Sequence, residues 1–216
     1  MFEGFQSNLN SECRMLIGLV LNSRTLLAKL KMMSKIKLLI PLFLALLFAE
    51  RTTYPQDESE PNRVGQVDLA RYVGLWYEIA RIPNSFQKQC ARSVTAEYTL
   101  RGDGRIDVVN RCYQEDGRLD EAEGLARIED KKTNSQLKVS FFSIFGWRPI
   151  WGDYWIIDLA SDYSYATVCS PDRKYGWILA RERKLPDDVL DGIFTRIGRQ
   201  GFKPDVFKLT DQEPPP

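Results

Sequence analysis

The chain carries few of the side chains that catalysis usually needs. It has 216 residues, four cysteines (Cys13, Cys90, Cys112 and Cys169) and no histidine. Without an imidazole there is no Ser-His-Asp triad, no zinc-protease motif and no axial haem ligand. Each of these depends on a group that titrates near neutrality or offers a neutral ring nitrogen. No GxxxxGK[ST] phosphate loop and no GxGxxG is found; Gly102 and Gly104 flank one residue in a turn, and the third glycine is missing. Carboxylates are plentiful, yet no pair stands out for acid–base work. Lys and Arg number 30 against 29 Asp and Glu, a net charge of +1, so neither a nucleic-acid partner nor an acidic tail is expected. These residues point to a binding protein and not an enzyme, without metal or cofactor.

The elements that would position a binding site are strands. Residues 75–80 (LWYEIA) form a β-prone run, and residues 94–100 alternate apolar and polar with period two. Gly102-Asp103-Gly104 then turns the chain into residues 106–110, a strong hairpin signal. Further strands are expected at 122–128, 136–142, 153–159, 163–169 and 175–181, giving eight antiparallel strands with short connections. That spacing suits an all-β, up-and-down barrel. One helix follows: Pro186 starts it, Asp187 and Asp188 complement its dipole, and Val189, Leu190, Ile193, Phe194 and Ile197 make one apolar face. Such a C-terminal α-helix must pack outside the sheet, ahead of a short strand at 206–209. Taking Val94, Ala96, Tyr98 and Leu100 as inward sets the parity of the rest. Ile106, Val108 and Asn110 share that face, followed by Leu137, Val139 and Phe141, then Tyr154 and Ile156, Ala166 and Val168, and Trp177 and Leu179. An interior eight strands wide holds either packed side chains or one small ligand, and periodicity fits both.

The N-terminus is of a different kind. Lys35 and Lys37 precede an apolar run from Leu38 to Ala49, too short for a bilayer span of about 20 residues; they read as a secretory signal. A buried strand or an interfacial anchor is the alternative. The expected organisation is an upstream extension (1–31), a signal-like segment (32–49), a polar linker (50–63), a barrel domain (64–210) and a Pro-rich tail (211–216). No cysteine lies just after the apolar run, so no lipid anchor is evident. The mature protein is expected to be exported to the periplasm or outer membrane, or secreted.

Gly74-Leu75-Trp76 at the first strand matches the GxW motif of lipocalins. Asp162-Tyr163, followed by Tyr165-Ala166, stands where that family has a TDY sequence, with Ser161 in place of the Thr. Arg181 ends the eighth strand, where lipocalins place an arginine. Over about 140 residues the chain resembles the lipocalin family, and runs such as WYEIARIPNSFQ and GDYWIIDL resemble its bacterial branch, which is similar to apolipoprotein D. The resemblance implies that Trp76 plugs one end of the barrel under the Arg181 guanidinium. Gly74, Trp76, Asp162, Tyr163 and Arg181 are then structural. It also implies a ligand lumen lined by Tyr98, Val108, Asn110, Val139, Phe141, Tyr154, Ile156, Val168 and Trp177. The loops at 83–92, 114–118, 143–152 and 170–174 would surround its mouth. The third of these holds Phe145, Trp147, Arg148 and Trp151 beside Ile144 and Ile150. An aromatic lip of this kind suits a ligand, a membrane surface or a second copy of the chain, or else folds inward as a lid. Lys88, Arg92, Arg148, Arg173 and Lys174 stand near the same rim as candidates for an anionic head group. The implied partner is a small lipophilic ligand, a fatty acid or lysophospholipid, carried for cell-envelope maintenance. The alternatives are a lumenal isomerase-type enzyme and a protein-interaction module acting through the lip. The hairpin register sets residue 93 opposite residue 112, so Cys90 and Cys112 are expected to form a disulfide near the mouth, while Cys169 has outward parity and no partner.

Overall fold

The computed structural model describes residues 59–213. The signal-like run, the upstream extension with Cys13, most of the linker and the last three prolines lie outside the described residues. Nine strands form one sheet: β1 (Gly74–Arg81), β2 (Arg92–Leu100), β3 (Ile106–Tyr113), β4 (Leu119–Ile128), β5 (Gln136–Ser140), β6 (Gly152–Leu159), β7 (Tyr165–Cys169), β8 (Gly176–Ala180) and β9 (Lys208–Leu209). Their order is β2-β3-β4-β5-β6-β7-β8-β1-β9, and β1 also pairs with β2, which closes the first eight into an antiparallel barrel. Closure leaves these eight strands without a free edge. The β2–β3 register pairs Tyr98 with Val108 and Leu100 with Ile106 across the turn, where Gly104 has φ +80°.

Two apolar layers result from the period-two pattern. Inside lie Trp76, Ala96, Tyr98, Ile106, Val108, Ala126, Leu137, Ile156, Ala166, Val168 and Leu179. Leu100 has the inward parity but sits at the end of β2 and is 44% exposed, so the strand outruns the core there. The second layer lies outside the barrel, where helix α2 (Asp187–Gly198; the shorter α1 is Leu69–Tyr72) buries Ile193 and Ile197 in a cluster with Trp155, Ile157, Cys169 and Ile178. Cys169 does point away from the lumen, yet it is buried in that cluster and not at the surface. Burial pushes its thiol up to about 12, which leaves it protonated and inert.

Bulges aim the two layers. β1 shifts register between Glu78 and Ala80, so Trp76 and Glu78 face the lumen while Ala80 joins the outer cluster. β6 shifts between Ile156 and Asp158 in the same way. At the far end, residues 64–73 run across the barrel: Val64 N donates to Ile156 O, and Val67 N to Thr133 O. This crossing ends in α1, which is too short for a periodic pattern to announce. Asp68 caps it through Ala70 N.

Candidate functional site

The closed end is built around Trp76, which is fully buried and donates its indole N–H to Tyr72 O at 2.8 Å. The Arg181 guanidinium lies 3.8 Å from the Trp76 ring centre. It also donates to Leu75 O at 2.6 Å, Arg71 O at 2.8 Å, and Tyr72 O and Val73 O at 3.0 Å each. The cation therefore covers the indole and satisfies the carbonyls at the end of α1, which have no partner within the helix. Glycine suits position 74 beside it because its φ is +97°, a conformation that side-chain-bearing residues rarely adopt. Asp162 accepts from Ser164 N at 3.0 Å and Oγ at 2.7 Å, a local turn that holds Tyr163 at φ +67°. Tyr163 then accepts from Asp68 N at 2.9 Å and stacks under Arg71.

Above this plug the barrel encloses a cavity of about 860 Å³ that opens at the opposite end. Of the lumen residues expected from sequence, Tyr98, Val108, Asn110, Val139, Phe141, Tyr154, Val168 and Trp177 line it. Ile156 does not; it is fully buried in the packed layer at the closed end, one inward position beyond Tyr154. At the floor, three phenols meet: Tyr72 Oη lies 2.7 Å and Tyr98 Oη 3.0 Å from Tyr154 Oη. Burial pushes Tyr98 up to about 12, and Tyr72 and Tyr154 well above the ordinary phenol value, so all three stay protonated. Midway up, Asn110 faces Ala96 on one side and Ala122 on the other. Its buried Oδ1 has no hydrogen-bond partner.

The mouth carries residues that parity alone did not single out. Glu78 is 3% exposed and lines the cavity. Its carboxylate accepts from Arg81 at 2.5 Å, Gln87 at 2.8 Å and Thr210 at 2.6 Å. Gln87 in turn accepts from Trp177 Nε1 at 2.9 Å. Phe86, Tyr175 and Trp177 form an aromatic wall, with Tyr175 and Trp177 stacked. Cys90 and Cys112 are joined in a disulfide, with Cα atoms 5.4 Å apart, tying the first mouth loop to β3. Asp120 lies within 4.8 Å of both sulfurs. Those sulfurs are spent in the bond, so the trio offers a metal one carboxylate, which already accepts from Gln89 at 2.7 Å. From β9 onward the chain fills the wedge where β1 and β2 part: Thr210 N donates to Ile79 O, Gln212 Nε2 to Glu78 O and Val94 O, and Ser93 Oγ to Glu213 O.

Of the third mouth loop, Ile150 and Gly152 line the cavity, whereas Phe145, Trp147, Arg148 and Trp151 do not. Ile144 and Trp147 exchange backbone bonds of 2.9 Å around Phe145 (φ +49°) and Gly146 (φ +85°). This tight turn leaves Phe145 fully exposed and Trp147 at 67%. The loop is therefore not folded inward as a lid. Trp151 points to the outer wall, 4.4 Å under the Arg127 guanidinium, and Arg148 is drawn to Ser140 O at 2.8 Å. Other rim cations are engaged too: Lys174 with Asp172 at 2.8 Å, and Arg173 with Gln200 O at 2.8 Å. Lining the cavity, Glu78, Asp120, Asp153 and Asp172 outnumber Arg111, the one cation there. Arg111 itself is held by Glu97 at 2.7 Å and Glu121 at 2.6 Å. Of the cationic rim expected from sequence, Arg148, Arg173 and Lys174 are thus engaged, while Lys88 is exposed and Arg92 Nε is buried without a hydrogen-bond partner.

Residues 67–212 match the model of the lipocalin-like domain. The chain is 41% identical over 147 residues to the outer membrane lipoprotein Blc of Escherichia coli K12, covering 68% of this chain and 78% of that one. It is 38% identical over 154 residues to apolipoprotein D of Rattus norvegicus, covering 68% and 76%. Among solved structures, insecticyanin from the tobacco hornworm Manduca sexta superposes with a TM-score of 0.57 at 24% identity, covering 72% of this chain and 85% of that one. Lobster apocrustacyanin A1 superposes with a TM-score of 0.54 at 19% identity, covering 73% and 93%. These two likenesses carry the fold alone.

Proposed function

The chain belongs to the lipocalin-like family, whose members bind small hydrophobic ligands, and from that premise we propose that it carries or sequesters a fatty acid or lysophospholipid in its lumen. The observation that carries this reading is the cavity of about 860 Å³, apolar along its wall and open at one end. Each methylene buried there contributes roughly 0.8 kcal/mol, so an acyl chain binds well with little selectivity. Asp120 favours a lysophospholipid with an ammonium-bearing head group over a free carboxylate, because it has Gln89 and not a cation beside it, whereas Glu78, Asp153 and Asp172 are each paired with a cation. Delipidated protein should bind a fluorescent lysophospholipid saturably, near one per chain, and release it to unlabelled lipid. Absence of saturable binding would overturn the reading.

We place the protein outside the cytoplasm, in the service of the cell envelope. The disulfide fits an oxidising compartment, and the Escherichia coli relative is an outer membrane lipoprotein by name. An enzymatic role is disfavoured: there is no histidine, Cys169 is sealed outside the lumen and the other two described cysteines are bonded together. Phe145 and Trp147, held out on their tight turn beside Ile150, suit contact with a membrane surface next to the mouth. Trp147→Ser should then weaken sedimentation with phospholipid vesicles. If light scattering instead shows a homodimer that the same substitution dissociates, the lip serves a second copy of the chain.

A further inference from the structure

The phenols at the cavity floor have a proton left over. Tyr72, Tyr98 and Tyr154 bring three O–H groups but make two contacts, both centred on Tyr154 Oη. A chain of hydroxyls joined by two bonds uses two protons; the third O–H has no acceptor among the described residues, and all three rings line the cavity. A buried donor without a partner is penalised by its lost hydration, and nothing else at this depth accepts it. The surroundings are Ile106, Ala126, Leu137 and Leu179. The nearest cation, Arg181, is spent on Trp76 and four carbonyls on the far side of the plug.

We propose that the floor is a second, polar subsite that takes a neutral hydrogen-bond acceptor, so that the favoured ligand is an amphiphile whose buried end carries a carbonyl or similar oxygen and not a plain hydrocarbon tail. This rests on the lumen being the binding site. An anionic group is excluded from the floor because no cation there balances it and burial penalises charge. The phenols hold their protons across the physiological range, consistent with a fixed donor. Asn110 stands higher on the wall with its Oδ1, an acceptor, without a partner, so that level calls for a donor and does not compete with the floor for the ligand's carbonyl oxygen.

The test compares a lysophosphatidylcholine with a plain acyl chain against one of equal length ending in a methyl ketone. Wild-type protein should bind the ketone at least as tightly as the plain chain. In the triple variant Tyr72→Phe, Tyr98→Phe, Tyr154→Phe the ketone should bind about tenfold or more weakly than the plain chain, because its oxygen then enters the floor unpaired. The same ratio of affinities in both proteins would overturn the proposal. A second readout needs only wild-type protein: the ketone C=O stretch of the bound lipid should fall below its value in hydrocarbon solvent, and an unshifted band overturns the proposal even if the triple variant fails to fold. Should neither lipid bind, the lumen reading itself fails; should both bind with an unshifted ketone band, only the floor subsite does.

Discussion

Replacing Arg181 by methionine removes the clamp at the closed end while keeping most of its apolar stem. The loss has two parts. The contact with the Trp76 ring, at 3.8 Å, is worth about 1–2 kcal/mol for a partly desolvated cation. Of the four carbonyls that the guanidinium serves, those of Arg71 and Leu75 stand where water replaces it. Those of Tyr72 and Val73 are partly buried and lose about 1 kcal/mol each. The expected destabilisation is therefore about 3–4 kcal/mol. For a domain of this size that lowers Tm by about 6–16 °C. Lysine at 181 keeps the charge but cannot spread a planar fork over an indole and four carbonyls, so it should recover about 1 kcal/mol. Urea unfolding followed by tryptophan emission measures all three proteins, with the midpoint expected to fall at an unchanged slope. Lipid affinity of the folded variants should stay as in wild type, since Arg181 does not line the cavity. A loss under about 0.5 kcal/mol in Arg181→Met, where about 3 kcal/mol is expected, refutes the clamp. A fully stable Arg181→Lys shows that charge alone suffices.

Three further outcomes are expected. Tyr98 is pushed up to about 12 from 10.0, so its stabilising contribution is complete below pH 10 and is lost as pH rises through about 12; that span corresponds to about 3 kcal/mol. Tyr98→Phe should remove the Tyr98 part of the alkaline loss in urea titrations and leave that of Tyr72 and Tyr154, and an unaltered pH profile would count against the buried phenol. Cys90→Ser with Cys112→Ser, which opens a loop spanning 22 residues, should cost about 3 kcal/mol. Reducing agent should lower the thermal midpoint of wild type and leave that of the double variant unchanged. Cys169 should resist iodoacetamide in native protein and react once unfolded, as mass spectrometry would show; rapid native labelling would place it outside the cluster under α2.

The barrel was legible because period two and the hairpin turn are local properties. Once Val94, Ala96 and Tyr98 were assigned inward, the register carried the parity across β3 and on to Leu137, Tyr154 and Val168 without further input. The Gly74, Trp76, Asp162, Tyr163 and Arg181 motif points to the lipocalin family, and residues 67–212 match its domain. The errors fall where a strand ends. Leu100 emerges from the core, and β5 stops at Ser140 because Ser140 turns its carbonyl to Arg148 and its hydroxyl to Phe142 O. Phe141 still reaches the cavity, and its ring sits 2.7 Å from where a Cβ on Gly124 would stand, so a glycine across the sheet makes room for it. Alternation cannot signal that kind of fit.

The site was harder to read because its polarity depends on pairing, and pairing is long-range. Tyr98 and Tyr154 were each assigned to the lumen, but their common partner Tyr72 comes from a four-residue helix outside the barrel, 82 positions from Tyr154. Glu78 shares the parity of Trp76, and a lone carboxylate on an apolar face was the available signal. Its meaning appears only when Arg81, Gln87 and Thr210 converge on it. The rim cations show the converse. Counted along the chain, Lys88, Arg92, Arg148, Arg173 and Lys174 read as an anion trap; in space the last three are already engaged by a carbonyl or a carboxylate. A burial pattern therefore locates a lumen, but selectivity rests on the polar groups that folding leaves unsatisfied. Along this cavity these are Asn110 Oδ1 on the wall and one phenol proton at the floor, with Asp120, held by Gln89 and not by a cation, at the mouth. All three lie along one cavity, and they favour a ligand with a positive end outside and an oxygen-bearing end within.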